Sequence, residues 1–174
     1  MSTSVFCIVD TADQASQVVD RLKDAGFTSS DVSVLMPDKS GTRDFAHEHN
    51  TKAPEGAATG ATAGLALGGG LGWLAGIGAL AIPGVGPLIA AGPIMAALSG
   101  AAIGGTLGGF SGALVGMGIP EFEAKQYEGK IRGGNALISV HSDNSDETSR
   151  AKEIFTDAGA KDISTSGEVS VGQK

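Results

Sequence analysis

The side chains best suited to chemistry in this chain are three histidines, His47, His49 and His141, and one cysteine, Cys7. His47 and His49 flank Glu48 in "HEH", a set that offers imidazole and carboxylate ligands to a metal. The polar stretch around the motif makes it read as a solvated loop, and on a helix a spacing of two would make the imidazoles diverge. His141 ends an apolar run beside Ser139 and Ser142, the place for a base serving a hydroxyl nucleophile. Such a base needs an acid to hold its ring, and none is spaced to do so, which makes His141 a sheet residue rather than part of a catalytic set. Cys7, inside "VFCIV", reads as a buried structural thiol with no intrachain disulfide partner.

The phosphate and calcium motifs fail on context. "GIGALA" at 76–81 fits G-x-G-x-x-A, but it is expected inside a helix, follows no strand and has no acidic residue about 20 positions later. No lysine occurs between Lys52 and Lys125, which removes a P-loop. "SDNSDE" at 142–147 reads as a helix-capping turn, with Ser145 ahead of Asp146 and Glu147. The expectation is therefore a protein that is not an enzyme, with no catalytic residue, no cofactor and no metal.

The elements that hold these residues fall into two similar halves. "SVFCIV" at 4–9 is a buried strand, "TADQASQVVDRLKDAG" carries Ala15, Val18, Val19 and Leu22 at helical spacing, and "DVSVLMP" at 31–37 is a second strand. The C-terminal part repeats the plan with strand "ALISVHS" at 136–142, helix "SDETSRAKEIFTDAG" at 145–159 and strand "DISTS" at 162–166. "KDAGFTSSDVS" and "TDAGAKDIS" share a helix stop and an Asp-apolar-Ser restart, the mark of an internal duplication. Two such βαβ units predict an α+β, ferredoxin-like domain, a four-stranded antiparallel sheet with two helices on one face. "PEFEAKQYEGKIRGG" at 120–134 predicts a further helix, with Pro120 in its first turn, Glu121–Lys125 and Glu128–Arg132 pairs, and Gly133 and Gly134 as its stop.

Between the halves, residues 60–109 contain no charged side chain, and 20 of the chain's 28 glycines lie between Gly56 and Gly118. Gly60, Gly64, Gly68, Gly72 and Gly76 fall every fourth residue, and the series resumes at Gly100, Gly104, Gly108, Gly112 and Gly116. Each step of four advances only 40° on a helix, so each series draws one slowly winding ridge. Glycine costs about 0.8–1 kcal/mol per helical position against alanine, so such helices need close backbone partners. The expectation is a helical hairpin with arms at 57–82 and 88–118, turning at Pro83, Gly84, Gly86 and Pro87. The implied domain limits are 1–52, 53–119 for the hairpin, and 120–174. At about 39 and 46 Å the arms are long enough to cross a bilayer core of about 30 Å. Trp73, near mid-arm, is better suited to packing than to an interfacial belt.

Net charge is −7 with a pI near 4.8, and no basic cluster is present, so nucleic acid is not an expected partner. No positively charged start followed by an apolar stretch opens the chain, so the ends are expected in the cytoplasm.

"GWLAGIGALAIPGVGPLIAAGPIMAALSGAAIGG", "GIPEFEAKQYEGKIRGGNALISVHSD" and "AKEIFTDAGAKDISTSGE" resemble the bacterial low-temperature-induced, general-stress-protein family with a glycine-zipper insert, over roughly Gly68 to Glu168. The resemblance implies a stress-associated protein and brings no catalytic residues. Combined with the ridges, it leads to an expected homo-oligomer of high order, its glycine faces packed hairpin to hairpin at the cytoplasmic side of the inner membrane, in or on the lipid bilayer. A water-soluble closed assembly and a ligand-sensing domain that controls assembly are the alternatives. The βαβ domain is expected to fold without the insert.

Overall fold

A strand such as "VFCIV", with no polar face, has to be covered on both sides, and that requirement organises the whole chain. The computed structural model describes residues 3–38, 71, 73–74, 78–82, 85–94, 98 and 109–167. In chain order they form β1 (Thr3–Val9), α1 (Ala12–Asp24), β2 (Val32–Pro37), β3 (Gly78–Ile82), β4 (Gly86–Ala91), α2 (Gly109–Gly116), α3 (Glu121–Arg132), β5 (Ala136–Ser142), α4 (Ser145–Asp157) and β6 (Lys161–Gly167). The strands make one antiparallel sheet in the order β3-β4-β2-β5-β1-β6. The protein is thus α+β.

Side chains alternate along each strand, so consecutive residues enter different cores. Val5, Cys7 and Val9 of β1 and Ile138 and Val140 of β5 face Val18, Val19 and Leu22 of α1 and Phe155 of α4. Phe6, Ile8 and Leu137 face the other way, against Phe110 and Leu114 of α2 and Ala124, Tyr127 and Ile131 of α3. Burying a side chain of this size stabilises by roughly 1.5–3 kcal/mol. The sequence led us to expect helices on one face only; the second layer exists because Phe6, Ile8, Leu35 and Leu137 would otherwise face water.

The repeated helix stop is realised twice in the same geometry. Ala25 and Ala158 cap α1 and α4, and Gly26 (φ 94°) and Gly159 (φ 70°) follow in the left-handed region. The amides of Phe27 and Ala160 then return to the carbonyls of Leu22 and Phe155. At the N-termini, Thr11 Oγ1 accepts from the Gln14 amide and Asn144 Oδ1 from the Glu147 amide. The cap of α4 is therefore Asn144 rather than Ser145, because Asn144 holds the extended backbone from which a side-chain oxygen reaches the third amide of the helix.

The expected helical arms are corrected where the chain is described on either side of "PGVGP". Gly78–Ile82 and Gly86–Ala91 are strands, paired from Gly78↔Ala90 to Ile82↔Gly86, and β4 continues the sheet from β2 through Val34↔Ala91 and Pro37↔Leu88. The turn expected at Pro83, Gly84, Gly86 and Pro87 thus joins strands rather than helices. Gly86 (φ 99°) pairs with Ile82 and Pro87 with Ala81, while Pro83 and Gly84 lie outside the described residues. Two forces favour this outcome. β2 has a second edge of N–H and C=O groups to satisfy, and the alternation of Leu88 and Ala90 with Ile89 and Ala91 fills both cores, whereas a glycine-rich helix has little intrinsic stability. "GIGALA" accordingly ends inside β3.

Described residues of the insert also pack into both cores. Leu71 and Leu74 pack on the α1 side, where Lys23 Nζ lies 5.8 Å from the Trp73 ring centroid. Leu88, Ala90, Ile94, Leu98, Phe110 and Leu114 pack on the opposite side. Between them Gly92 (φ 81°) turns the chain off β4, so close to β2 that a Cβ there would lie 2.1 Å from the Val32 carbonyl oxygen. The Ile94 amide then donates to Ser33 Oγ at 3.1 Å.

Two outcomes follow from this packing. Gly92→Ala should lower unfolding stability by at least about 1–3 kcal/mol, through the left-handed φ and the clash with β2, measured by urea titration. Replacing residues 53–119 by a short flexible linker should uncover Phe6, Ile8, Leu35 and Leu137 and give a chain that binds anilinonaphthalene sulfonate and lacks a cooperative thermal transition. A cooperatively folded, dye-silent deletion variant would refute the shared core.

Candidate self-association surface

The outer layer of the second face is made by α2 and α3, and each divides into an inward and an outward side. α2 sends Phe110 and Leu114, four residues apart, into the core and leaves Val115 42% exposed. In α3, Ala124, Tyr127 and Ile131 repeat at helical spacing and are buried. Phe122 lies two residues from Ala124, on the far side of that stripe, and is 80% exposed. Val115 and Phe122 are the large hydrophobic side chains left exposed among the described residues.

Polar bonds lock the rotational setting of α3. The Tyr127 hydroxyl lies 3.1 Å from the Asp162 carbonyl oxygen, to which it donates, and 2.6 Å from Ser164 Oγ, and its ring sits 6.4 Å from that of Phe6. Gln126 Nε2 donates to Asp162 Oδ1 at 3.1 Å, and Lys130 Nζ lies 3.5 Å from Asp162 Oδ2. Asp162 reaches all three from a left-handed backbone, φ 51°. Ser166 Oγ donates to the Gly118 carbonyl and pins the α2–α3 corner to β6. On the outer side, Lys125 Nζ bonds Glu121 Oε1 at 2.6 Å, which holds the Glu121 carboxyl below and the Lys125 ammonium above their ordinary ranges. Arg132 pairs in the same manner with Glu128.

The glycines on this surface differ in what the fold asks of them. A Cβ at Gly116, or at Gly129 in α3, would meet no atom within 4 Å, and neither residue has a positive φ. Each costs about 0.8–1 kcal/mol against alanine, and packing among the described residues does not require it. Of the glycine series expected to pack between helices, Gly112 and Gly116 lie in α2, half-buried and exposed respectively. Gly60, Gly64, Gly68, Gly72, Gly76, Gly100, Gly104 and Gly108 lie outside the described residues, as does "HEH" at 47–49.

The other residues singled out in the sequence have these surroundings. His141 Nε2 lies 3.3 Å from Asp143 Oδ1, so an acid does reach it, contrary to the expectation from spacing: the strand end bends and brings the carboxylate back. Ser142 points elsewhere, its hydroxyl donating to the Thr3 carbonyl and lying 2.7 Å from Thr148 Oγ1. Cys7 is fully buried and desolvation pushes its thiol pKa well up, away from the reactive thiolate. Among the described residues no three His, Cys, Asp or Glu side chains are grouped to hold a metal. Sequence reasoning missed the outward Phe122 and the gap at Gly129, although the stripe Ala124–Tyr127–Ile131 already excludes position 122 from the buried side.

Burial pushes the Tyr127 hydroxyl up from its ordinary value near 10 to about 12. The folded state holds that proton more tightly than the unfolded state, so the contribution is complete below pH about 10 and is lost as pH rises towards about 12. The stability difference between the native chain and Tyr127→Phe should therefore shrink across that window in urea titrations, and a constant difference would contradict it. No family model, curated protein or solved structure matches this chain.

Proposed function

We propose that this chain is a non-enzymatic, stress-associated protein that assembles with copies of itself through glycine-faced helices. Its two βαβ halves form a ferredoxin-like scaffold, with order β2-β5-β1-β6 and α1 and α4 on one face, and the insert extends that sheet and covers its second face. The observation that carries the proposal is Gly116. It continues the series Gly100, Gly104, Gly108, Gly112 at the exposed end of an uncharged helix, beside the 42% exposed Val115, with open space where a side chain would stand. A close backbone approach by another copy accounts for a glycine that packing among the described residues does not need.

Two surroundings are open to the assembled inserts. Burial of Leu71, Leu74, Leu88, Ile94, Leu98 and Leu114 within the chain's own two cores supports a protein-walled assembly in water. The uncharged run 60–109 supports contact with a lipid bilayer. No helix among the described residues is long and apolar enough to cross a membrane.

Gly112→Leu with Gly116→Leu should reduce the native particle mass, because branched side chains in a backbone contact cost about 1–3 kcal/mol per site and symmetry multiplies the cost. Lys152→Ala with Glu153→Ala, on α4 across the sheet, should leave it unchanged. Light scattering under one fixed condition makes the comparison; full particle size in the double-leucine variant would sink the glycine interface. Detergent-free fractionation separates the surroundings: a discrete soluble particle supports the protein-walled assembly, and pelleting through a high-pH wash supports lipid.

A further inference from the structure

The outward side of α3 carries an exposed phenyl and, one heptad on, an exposed glycine whose missing side chain leaves a gap in the stripe. Phe122 is 80% exposed near its N-terminal end, and Gly129 near its C-terminal end has open space at the Cβ position. Seven residues advance the helix by close to two full turns, so both lie on one stripe, about 10.5 Å apart along the axis. Charge is graded along the same helix: Glu121 and Glu123 occupy the first turn, Lys130 and Arg132 the last.

We infer that α3 docks against α3 of a second copy, antiparallel, with Phe122 of each copy seated over Gly129 of the other. An antiparallel arrangement is the one in which phenyl meets gap twice at once, giving a self-complementary two-fold contact whose axis passes between Lys125 and Gln126. It lays the acidic first turn of each helix beside the basic last turn of the other and opposes the two helix dipoles. A parallel pairing would set Phe122 on Phe122 and like charge on like charge. The exposed phenyl and the helical glycine, neither of which is explained by contacts among the described residues, are accounted for by the same contact. Tyr127, Gln126 and Lys130 bind Asp162 on β6 and hold the helix at the angle that presents the stripe.

The contact rests on the proposed self-assembly only in that its partner is a second copy; it uses α3 and not the glycine ridge of α2. Its test uses the full chain. Gly129→Leu fills the gap while placing a better helix former at an open site, so it should raise or preserve the thermal midpoint and yet weaken association at least tenfold by sedimentation equilibrium. Phe122→Ser should weaken association to a similar degree. For geometry, Phe122→Cys and Gly129→Cys are made in separately tagged chains and mixed under mild oxidation. The disulfide between position 122 of one tag and 129 of the other should form readily, with little product from either variant alone. Unchanged association in Gly129→Leu overturns the inference, as does a 122–122 disulfide that forms as fast as the mixed one. The ridge is scored apart from this contact: if Gly112→Leu with Gly116→Leu lowers the particle mass but the mixed disulfide persists, the α3 contact stands by itself. If the double-leucine variant keeps its mass and the mixed disulfide forms, the ridge fails and the α3 contact stands.

Discussion

Burial of the central strands on both faces is the constraint from which the rest of this structure follows. β1 and β5 are apolar at successive positions, so a single layer of helices leaves half of their side chains in water. α1 and α4 cover one face, and the second layer has to come from the inserted residues and from α3. The insert is therefore committed to the scaffold at Leu88, Ala90, Ile94, Leu98, Phe110 and Leu114. Its strands β3 and β4 continue the sheet from β2 rather than leaving it.

Glycines in this chain divide by the work the fold gives them. Gly26 and Gly159 end helices in the left-handed region, and Gly92 lets β4 and β2 approach within a distance that excludes a side chain. Gly116 and Gly129 do neither. The division turns a glycine-rich composition into separate structural statements, some internal and some directed outward, and it shows why spacing alone is a poor guide to which is which.

Much of the scaffold was legible in the sequence because local signals agreed with one another. The strands at 4–9, 31–37 and 136–142, the helices within 11–26, 120–134 and 145–159, and the twin helix stops each combine periodicity with end signals, and each is present within a residue or two. The strands at 78–82 and 86–91 were not legible. "GALAI" and "GPLIAA" have neither charge nor β-branched bias, and their conformation is decided by the open edge of β2, which is remote in sequence. Within the candidate surface, the series Gly112–Gly116 was readable from spacing. The outward Phe122 was readable only by asking which residues the Ala124–Tyr127–Ile131 stripe leaves out. His141 shows the limit of spacing arguments from the other side, since Asp143 reaches it through a bend that no periodicity encodes.

The first strand of the chain has both of its neighbours at the other end. Val5 lies opposite Val140 on one side and Thr165 on the other, so β1 cannot complete its pairing until residues up to 165 have left the ribosome. Until then Phe6 and Ile8 have neither ladder partners nor the Leu137 and Tyr127 that bury them. Closing so long a loop carries an entropic cost that is met before its contacts form, which makes completion of this sheet a late step in folding. The rate at which β1 finds its gap then sets how long a newly made chain exposes its most apolar strand to the cell.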